Sequence, residues 1–117
     1  MRKLFISSSS EDHPKIRTAI EKLKSKMPEL KDAETWDPIT NINAGTNFRA
    51  EIKEQILSSD YYVLLWTKRA AKSPYVLYEA GMAYAIGIPI IIVVEPDSPK
   101  LHGALSNFQT VNLENES

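Results

Sequence analysis

The stretch SPYVLYEAGMAYAIGIPIIIVV, residues 73–94, indicates the fold class of this chain. Ser73 supplies a capping hydroxyl, and Pro74 is the residue best tolerated in the first position of a helix. Gly87 is typical of the residue that ends a helix. The β-branched run at 90–94 is typical of a strand buried on both faces of a parallel sheet. The stretch therefore predicts one helix followed by one buried parallel strand.

The predicted helix contains one carboxylate, Glu79. Glu79 shares a helical stripe with Tyr75 and Met82, so we expect its side chain to be shielded from water. A lone glutamate on a helix is usually a solvated charge. Few other side chains in this helix are polar, however, which favours a functional role. We therefore interpret Glu79 as the working group of the protein.

Composition argues against several classes of function. The 117 residues predict a single domain, 1–117, in which 14 basic and 15 acidic residues give a net charge of −1. This balance argues against nucleic-acid binding, which needs a basic patch. The chain has no cysteine and only two distant histidines, so neither disulfides nor a metal site is expected. No segment is long and apolar enough to span a bilayer, which predicts a cytoplasmic protein without membrane contact.

Strand and helix patterns alternate along the chain. Strands are predicted at 3–6, 33–36, 61–65, 90–94 and 109–113. Short connections between alternating strands and helices predict a flavodoxin-like α/β fold, a parallel sheet of about five strands with helices on both faces.

The other two helices are expected between the first three strands. One follows a cap at Ser10 or Asp12, and the other follows a cap at Thr46 or Asn47, with Phe48 facing inward. The segment 37–45 is predicted to be an irregular loop, and 101–108 to contain a short helical turn.

Polar and aromatic side chains follow the predicted strands at one edge of the sheet. Ligands of such sheets bind at the carboxyl ends of the strands, where the strand order reverses. The side chains delivered there are Ser7, Ser8, Ser9, Trp36, Asp37 and Trp66. Each has a structural alternative, because serines cap loops, tryptophans pack in cores and aspartate organises turns. The helix that starts at Ser73 begins at the same edge, and its N-terminus favours an anion such as phosphate.

Four segments resemble Toll/interleukin-1 receptor-like (TIR) domains of the bacterial enzymatic kind. KLFISSSSED at 3–12 matches the opening strand and serine-rich loop of that family. ETWDPITNINAG at 34–45 is similar to its second strand and long loop, and FRAEIKEQILSSDYYVLLWT at 48–67 to its next helix and central strand. SPYVLYE fits the family motif S-x-W-x-x-x-E as Ser73, Tyr75 and Glu79, with tyrosine in place of the usual tryptophan.

The resemblance implies an enzyme that cleaves the nicotinamide–ribose bond of NAD. In enzymatic members the glutamate of this motif is the catalytic residue, which implies that role for Glu79. The resemblance makes NAD a substrate and implies no cofactor or metal. It also implies self-association, an ADP-ribose-type signal nucleotide as product, and a separate effector protein that senses this product in anti-phage defence. The candidates for contact with NAD are Ser7, Ser8, Ser9, Trp36, Asp37, Phe48, Trp66, Ser73 and Tyr75.

One carboxylate is adequate for this reaction. Hydrolysis of an ordinary glycoside needs a second carboxyl group as the acid, because the leaving oxygen must be protonated. Nicotinamide leaves a cationic pyridinium as a neutral molecule, so no general acid is required. A single carboxylate can stabilise the oxocarbenium-like transition state or bond to the sugar. The sequence does not choose between hydrolysis, cyclisation and transfer to another acceptor.

Two other interpretations stay open at this point. DYYVLLW at 60–66 and YEAGMAYAIGIPIIIVV at 78–94 also resemble nucleoside 2-deoxyribosyltransferases, in which a glutamate before a G-x-A-x-A-x-G-x-P run attacks the sugar. That interpretation keeps Glu79 and changes the substrate. The second interpretation is a non-catalytic TIR interaction module, in which loops 37–45 and 68–72 bind partner domains. The 34–45 segment and the motif at 73–79 favour a TIR domain over the transferase, and the intact Glu79 argues against the non-catalytic module.

Overall fold

The strands predicted from the sequence form one parallel sheet. The structure is a computed structural model and describes residues 2–41, 47–101 and 108–113. The strands lie in the order β2-β1-β3-β4-β5, and every neighbouring pair is parallel. The predicted fold class is confirmed. The strands are β1 (Lys3–Ser7), β2 (Glu34–Trp36), β3 (Tyr61–Trp66), β4 (Ile90–Val94) and β5 (Gln109–Asn112).

Helices cover both faces of the sheet. Side chains of a strand alternate between its faces, so β1 sends Leu4 and Ile6 toward α1 and sends Phe5 toward α3 and α4. β3 and β4 are apolar throughout because both of their faces are buried. Within the described ranges, no helix is long and apolar enough to cross a membrane. The α-helices are α1 (Ile16–Lys26), α2 (Pro38–Asn41), α3 (Phe48–Leu57) and α4 (Pro74–Ile86).

The strand order creates a crevice beside β1. From β1 the chain passes to β2 on one side, and it later returns to place β3 on the other. Such a reversal opens a crevice at the carboxyl ends of the two central strands, which here are β1 and β3. Ser7 is the last residue of β1 and is paired with Leu64 of β3. The crevice therefore has Ser7 at its floor.

Both ends of α4 are formed as the sequence predicts. The Ser73 Oγ accepts a hydrogen bond from the Val76 amide at 3.3 Å, and Pro74 occupies the first turn. Gly87 follows the helix with a φ of 93°, a left-handed conformation that costs other residues free energy. These caps fix the position of α4 over the end of the sheet.

Two glycines of this region provide a matched test of the backbone. Gly87→Ala is expected to lower the free energy of unfolding by about 1 kcal/mol, because alanine is strained at positive φ. Gly81→Ala lies inside α4 and is expected to raise it by about 0.5–1 kcal/mol. A methyl group at Gly81 would have no heavy atom within 4 Å outside its own helix backbone and its chain neighbours. Urea unfolding of both variants checks the opposite signs, and equal effects would contradict this explanation.

The prediction that residues 37–45 form an irregular loop is wrong for residues 38–41. Residues Pro38–Asn41 form α2, because the Asp37 Oδ1 accepts a hydrogen bond from the Thr40 amide at 2.8 Å and caps the turn. Residues 42–46 lie outside the described residues, as do residues 102–107 of the predicted turn at 101–108.

The predicted N-terminal cap is wrong for α1 and correct for α3. Neither Ser10 nor Asp12 caps α1, because a 3₁₀ turn at Ser10–Lys15 precedes it and α1 begins at Ile16. Asn47 does cap α3, accepting a hydrogen bond from the Ala50 amide at 3.1 Å, whereas Thr46 lies outside the described residues. Asp12 does not cap α1 because its carboxylate accepts hydrogen bonds from Thr67 and Arg69, in the loop after β3.

Candidate active site

Glu79 lies at the crevice between β1 and β3. It is in the second turn of α4 and only 5% exposed, which confirms the predicted shielding from water. The Ser7 hydroxyl donates a hydrogen bond to the Glu79 Oε1 at 2.9 Å. Ser7 itself is fully buried at the end of β1. The sheet and α4 thus hold one carboxyl group in a defined position at the edge where α/β proteins bind ligands.

Burial changes the acidity of this carboxyl group. Removal from water disfavours the charged form and raises the pKa of Glu79 from 4.5 to about 7, while the hydrogen bond from Ser7 acts in the opposite direction. At neutral pH the group therefore exists in both protonation states. A buried carboxyl group with a raised pKa, facing a cavity, is a common feature of catalytic sites.

Two adjoining cavities meet at Glu79. One is about 200 Å³ and mostly apolar, and the other is about 180 Å³ and lined by several hydroxyl groups. Phe48, Tyr75 and Glu79 line both of them. The first cavity is completed by Arg49, Ile52, Pro74 and Tyr78, and the second by Ser8, Ser10, Pro38, Ile39 and Ser73. Glu79 therefore faces an aromatic space and a hydroxyl-rich space at once.

Phe48 and Tyr75 form the aromatic wall between these cavities. Their ring centroids are 6.2 Å apart in an edge-to-face arrangement. Phe48 is 42% exposed, so the prediction that it faces inward is wrong, and Tyr75 is 69% exposed. Exposed aromatic rings beside a buried carboxyl group offer a surface on which a flat ligand ring can stack.

The consecutive serines at 7–10 lie in two different environments. Ser8 lines the hydroxyl-rich cavity, and its buried Oγ has no hydrogen-bond partner among the described residues. Ser9 instead donates to Asp12 at 2.9 Å, and Ser7 donates to Glu79. The structure thus brings Ser7, Ser8, Phe48, Ser73 and Tyr75 to the candidate site, and turns Ser9 away from it.

Trp36, Asp37 and Trp66 do not line the two cavities at Glu79. Trp36 packs on Phe5 with ring centroids 5.3 Å apart. Trp66 is only 5% exposed, and its indole N–H donates to the Pro99 carbonyl at 2.8 Å. Asp37 caps α2. For these three residues the structure favours the packing and turn roles over contact with a ligand.

A buried ionic network fixes the loop that follows β1. Asp12 is fully buried and accepts hydrogen bonds from Ser9 and Thr67 and from Arg69 at 3.3 Å. Burial alone raises the pKa of Asp12, but these hydrogen bonds and the charge of Lys15 together hold it below its ordinary value. The network connects the serine loop to the loop before α4, and it thereby supports the second cavity.

Asp12→Ala is expected to lower the free energy of unfolding by about 3 kcal/mol. The change leaves the proton of the buried Thr67 hydroxyl without its acceptor and removes the buried charge that faces Arg69. Glu11→Gln is the control, because Glu11 also contacts Arg69 but is 73% exposed, and exposed pairs contribute little. Chemical unfolding at pH 7 compares them, and equal losses would contradict a special role for the buried aspartate.

Two side chains at the candidate site are not predicted from the sequence. Tyr62 is fully buried next to Ser7, and Tyr78 lines the apolar cavity. Arg49, which the sequence leaves open as a solvated helix charge or a contact for phosphate, lines the apolar cavity from α3. Tyr78 carries no signal beyond its position on a helix. Tyr62 shares the strand face of Phe5 and Ser7, but only the register between β1 and β3 reveals this.

The chain belongs to the TIR domain family, whose sequence model matches residues 4–117. No curated protein matches the sequence significantly. TIR domains commonly self-associate.

Solved structures with the same fold include TIR domains and an enzyme. The TIR domain of the Toll-related receptor TRR-2 from Hydra magnipapillata has a TM-score of 0.70 and 16% identity, over 93% of this chain and 82% of that one. The TIR domains of the activated Roq1 resistosome, which directly recognises the pathogen effector XopQ, have a TM-score of 0.61 and 19% identity, over 82% of this chain and 58% of that one. The CMP N-glycosidase BcmB from Clostridium botulinum has a TM-score of 0.61 and 17% identity, over 97% of this chain and 91% of that one. At these identities the likeness shows the fold.

Proposed function

We propose that this TIR domain cleaves NAD at the nicotinamide–ribose bond, with Glu79 as the catalytic carboxylate. The observation that carries the proposal is the position of Glu79, which is buried, bonded to Ser7 and shared by an aromatic and a hydroxyl-rich cavity. Membership of the TIR family adds to it, because the motif at 73–79 places Glu79 at the family's catalytic position.

The two cavities suit the two ends of the bond that breaks. The nicotinamide ring fits the apolar cavity, where it stacks against Phe48 or Tyr75, and Arg49 offers donors to its carboxamide oxygen. The ribose and the adjoining phosphates fit the second cavity, where Ser8 and Ser73 offer hydroxyl groups. The N-terminus of α4 also favours phosphate on that side. Glu79 then lies beneath the anomeric carbon.

The chemistry requires no group beyond this carboxylate. The C1′–N bond breaks, and its electron pair returns to the pyridinium nitrogen, so nicotinamide leaves as a neutral molecule. The ionised Glu79 stabilises the positive charge that develops on the ribose, or bonds to C1′. An acceptor then forms a new bond at C1′ and loses its proton, and where Glu79 has bonded to C1′ that bond breaks and the carboxylate is restored. A water molecule gives ADP-ribose, and an atom of the same nucleotide gives a cyclic isomer.

The biological setting follows the enzymatic members of the family. We place the protein in the bacterial cytoplasm, where it makes an ADP-ribose-type signal nucleotide during anti-phage defence. In this proposal a separate effector protein senses the product, and self-association through TIR contacts regulates the site. Neither a metal nor a cofactor other than the substrate takes part.

A substrate panel tests the proposed function. Wild-type protein is incubated separately with NAD, with deoxynucleosides and with CMP, and the products are separated chromatographically. Nicotinamide released from NAD, with no base released from the other substrates, is the expected result. Base released from deoxynucleosides alone would favour the 2-deoxyribosyltransferase-like reaction. Inactivity toward all of them, at concentrations where the protein self-associates, would favour a non-catalytic interaction module.

A further inference from the structure

The hydroxyl of Tyr62 lies beneath the candidate site without an adequate partner. Tyr62 is on β3, fully buried, with its ring stacked on Phe5 at a centroid distance of 5.4 Å. Its hydroxyl oxygen is close to Ser7 and within electrostatic reach of Glu79. Among the described residues, however, no group meets this oxygen with hydrogen-bond geometry. A buried hydroxyl without a partner is rare and costs stability, so its presence needs an explanation.

The strand register explains why Tyr62 and Ser7 are neighbours. Tyr62 is paired with Phe5, and Ser7 is paired with Leu64, so all four side chains share one face of the sheet. α4 packs on this face through Val76 and Ala80 of its buried side, and Glu79 points into the same layer. Glu79, Ser7 and Tyr62 therefore form a group of three polar side chains inside an otherwise apolar core.

Ser7 connects the other two side chains. A serine hydroxyl has one proton and two acceptor positions. The proton of Ser7 is donated to the Glu79 Oε1, which leaves its oxygen free to accept a proton from another group. The phenol of Tyr62 is buried beside Ser7. Burial and the charge of Glu79 raise the pKa of Tyr62 well above its ordinary value, against the opposite effect of Ser7, so the phenol keeps its proton.

We propose that Tyr62 is a positioning residue that acts on Glu79 through Ser7. The Tyr62 hydroxyl donates to the Ser7 Oγ, which obliges Ser7 to direct its own proton at Glu79 and to favour the ionised carboxylate. The chain Tyr62–Ser7–Glu79 thus opposes the burial that favours the neutral acid.

Other groups that face Glu79 do not replace this chain. On its own helix, Tyr75 and Tyr78 line the apolar cavity, and Arg49 faces that cavity from α3. Ser8, Ser10 and Ser73 line the second cavity. Among the described residues, Ser7 alone donates a hydrogen bond to a carboxyl oxygen of Glu79. The ionisation of Glu79 is therefore expected to respond to Ser7 and to the group behind it.

The experiment measures the pKa of Glu79 by ¹³C NMR of its side-chain carboxyl carbon, assigned with Glu79→Gln. Tyr62→Phe is expected to raise this pKa by about half a unit to one unit, the equivalent of one hydrogen bond. Tyr61→Phe is the matched control, because Tyr61 packs on the opposite face of the same strand, and it is expected to cause no shift. In a Ser7→Ala background, Tyr62→Phe should have no further effect.

Three results would overturn the proposal. They are an unchanged Glu79 pKa in Tyr62→Phe, an equal shift with and without Ser7, and an equal shift in the Tyr61→Phe control. If Tyr62→Phe does not fold, 3-fluorotyrosine placed only at position 62 provides the second test. Its phenol is a stronger donor and should lower the Glu79 pKa, whereas a raised or unchanged value contradicts the proposal.

The catalytic meaning of this chain rests on the proposed function, but the pKa measurement does not. If the protein cleaves NAD, the acid limb of its pH–rate profile should move to higher pH in Tyr62→Phe, by the shift that NMR measures. If the protein is inactive, the NMR shift still tests the positioning role. Failure of one proposal can thus be distinguished from failure of the other.

Discussion

Glu79→Gln is expected to reduce the release of nicotinamide from NAD by at least about 10³-fold, the loss typical of an essential electrostatic or nucleophilic group. Glutamine has nearly the same shape, and its amide oxygen can still accept the hydrogen bond from Ser7. It has no negative charge, however, and cannot stabilise the ribosyl cation or bond to C1′. Steady-state kinetics with chromatographic detection of nicotinamide measures the loss.

Glu54→Gln is the matched control for this change. Glu54 is an exposed glutamate on the neighbouring helix α3 and does not line either cavity at Glu79. The control is expected to keep the wild-type rate within about twofold, since surface substitutions of this kind have small effects. A Glu79→Gln variant that retained a tenth or more of the wild-type rate would contradict the catalytic role of the carboxylate.

The same Glu79→Gln variant is expected to be more stable than the wild type above pH 7. In the folded protein burial raises the pKa of Glu79 from 4.5 to about 7. Folding therefore favours the neutral form of Glu79. The contribution of this neutral form to the free energy of unfolding is fully present below pH 4.5 and is lost as the pH rises to about 7. The increase in the pKa of Glu79 corresponds to about 3 kcal/mol of unfolding free energy, at roughly 1.4 kcal/mol for each pKa unit. Glutamine does not ionise, so the variant loses no stability from this position in this pH range.

Thermal unfolding between pH 4.5 and pH 8 measures this effect. The wild type should lose stability relative to Glu79→Gln across that range, and at pH 8 the variant should melt on the order of 10 °C higher. Glu54→Gln should follow the wild-type curve, because Glu54 is exposed. Parallel curves for wild type and Glu79→Gln would show that the Glu79 pKa is not raised by burial. Higher stability combined with lower activity is typical of catalytic groups held in an unfavourable environment.

The features that the sequence predicts well are those with local causes. Ser73, Pro74 and Gly87 define the ends of α4 through their own hydrogen bonds and backbone preferences, and the structure confirms all three. The apolar run at 90–94 forms β4 because a strand between two others needs no polar face. Glu79 is buried as predicted, but it lies beside Val76, Ala80 and Ala83 on the buried face of α4 and not on a shielded stripe with Tyr75, which is exposed.

The features that the sequence does not predict depend on partners far along the chain. The order β2-β1-β3-β4-β5 and the pairing of Ser7 with Leu64 place Ser7 and Tyr62 on the face of the sheet that α4 covers, where Ser7 bonds to Glu79. Asp12 resembles a helix cap in the sequence, but it bonds to Thr67, 55 residues away.

Trp66 and Phe48 are both candidates for ligand contact in the sequence, but only Phe48 lines the cavities at Glu79. The tryptophan at the end of β3 is buried and bonded to the Pro99 carbonyl, whereas the phenylalanine at the start of α3 is partly exposed at the site. Side-chain type alone does not distinguish these outcomes.

The most direct test of the central claim is the pH dependence of nicotinamide release from NAD, measured for the wild type and for Glu79→Gln. The wild-type rate is expected to rise as the pH passes through about 7, because ionised Glu79 is the active form. No release above background is expected for Glu79→Gln at any pH. Release by Glu79→Gln at a tenth or more of the wild-type rate, or no release by folded wild-type protein from pH 6 to pH 9, would contradict NAD cleavage by Glu79.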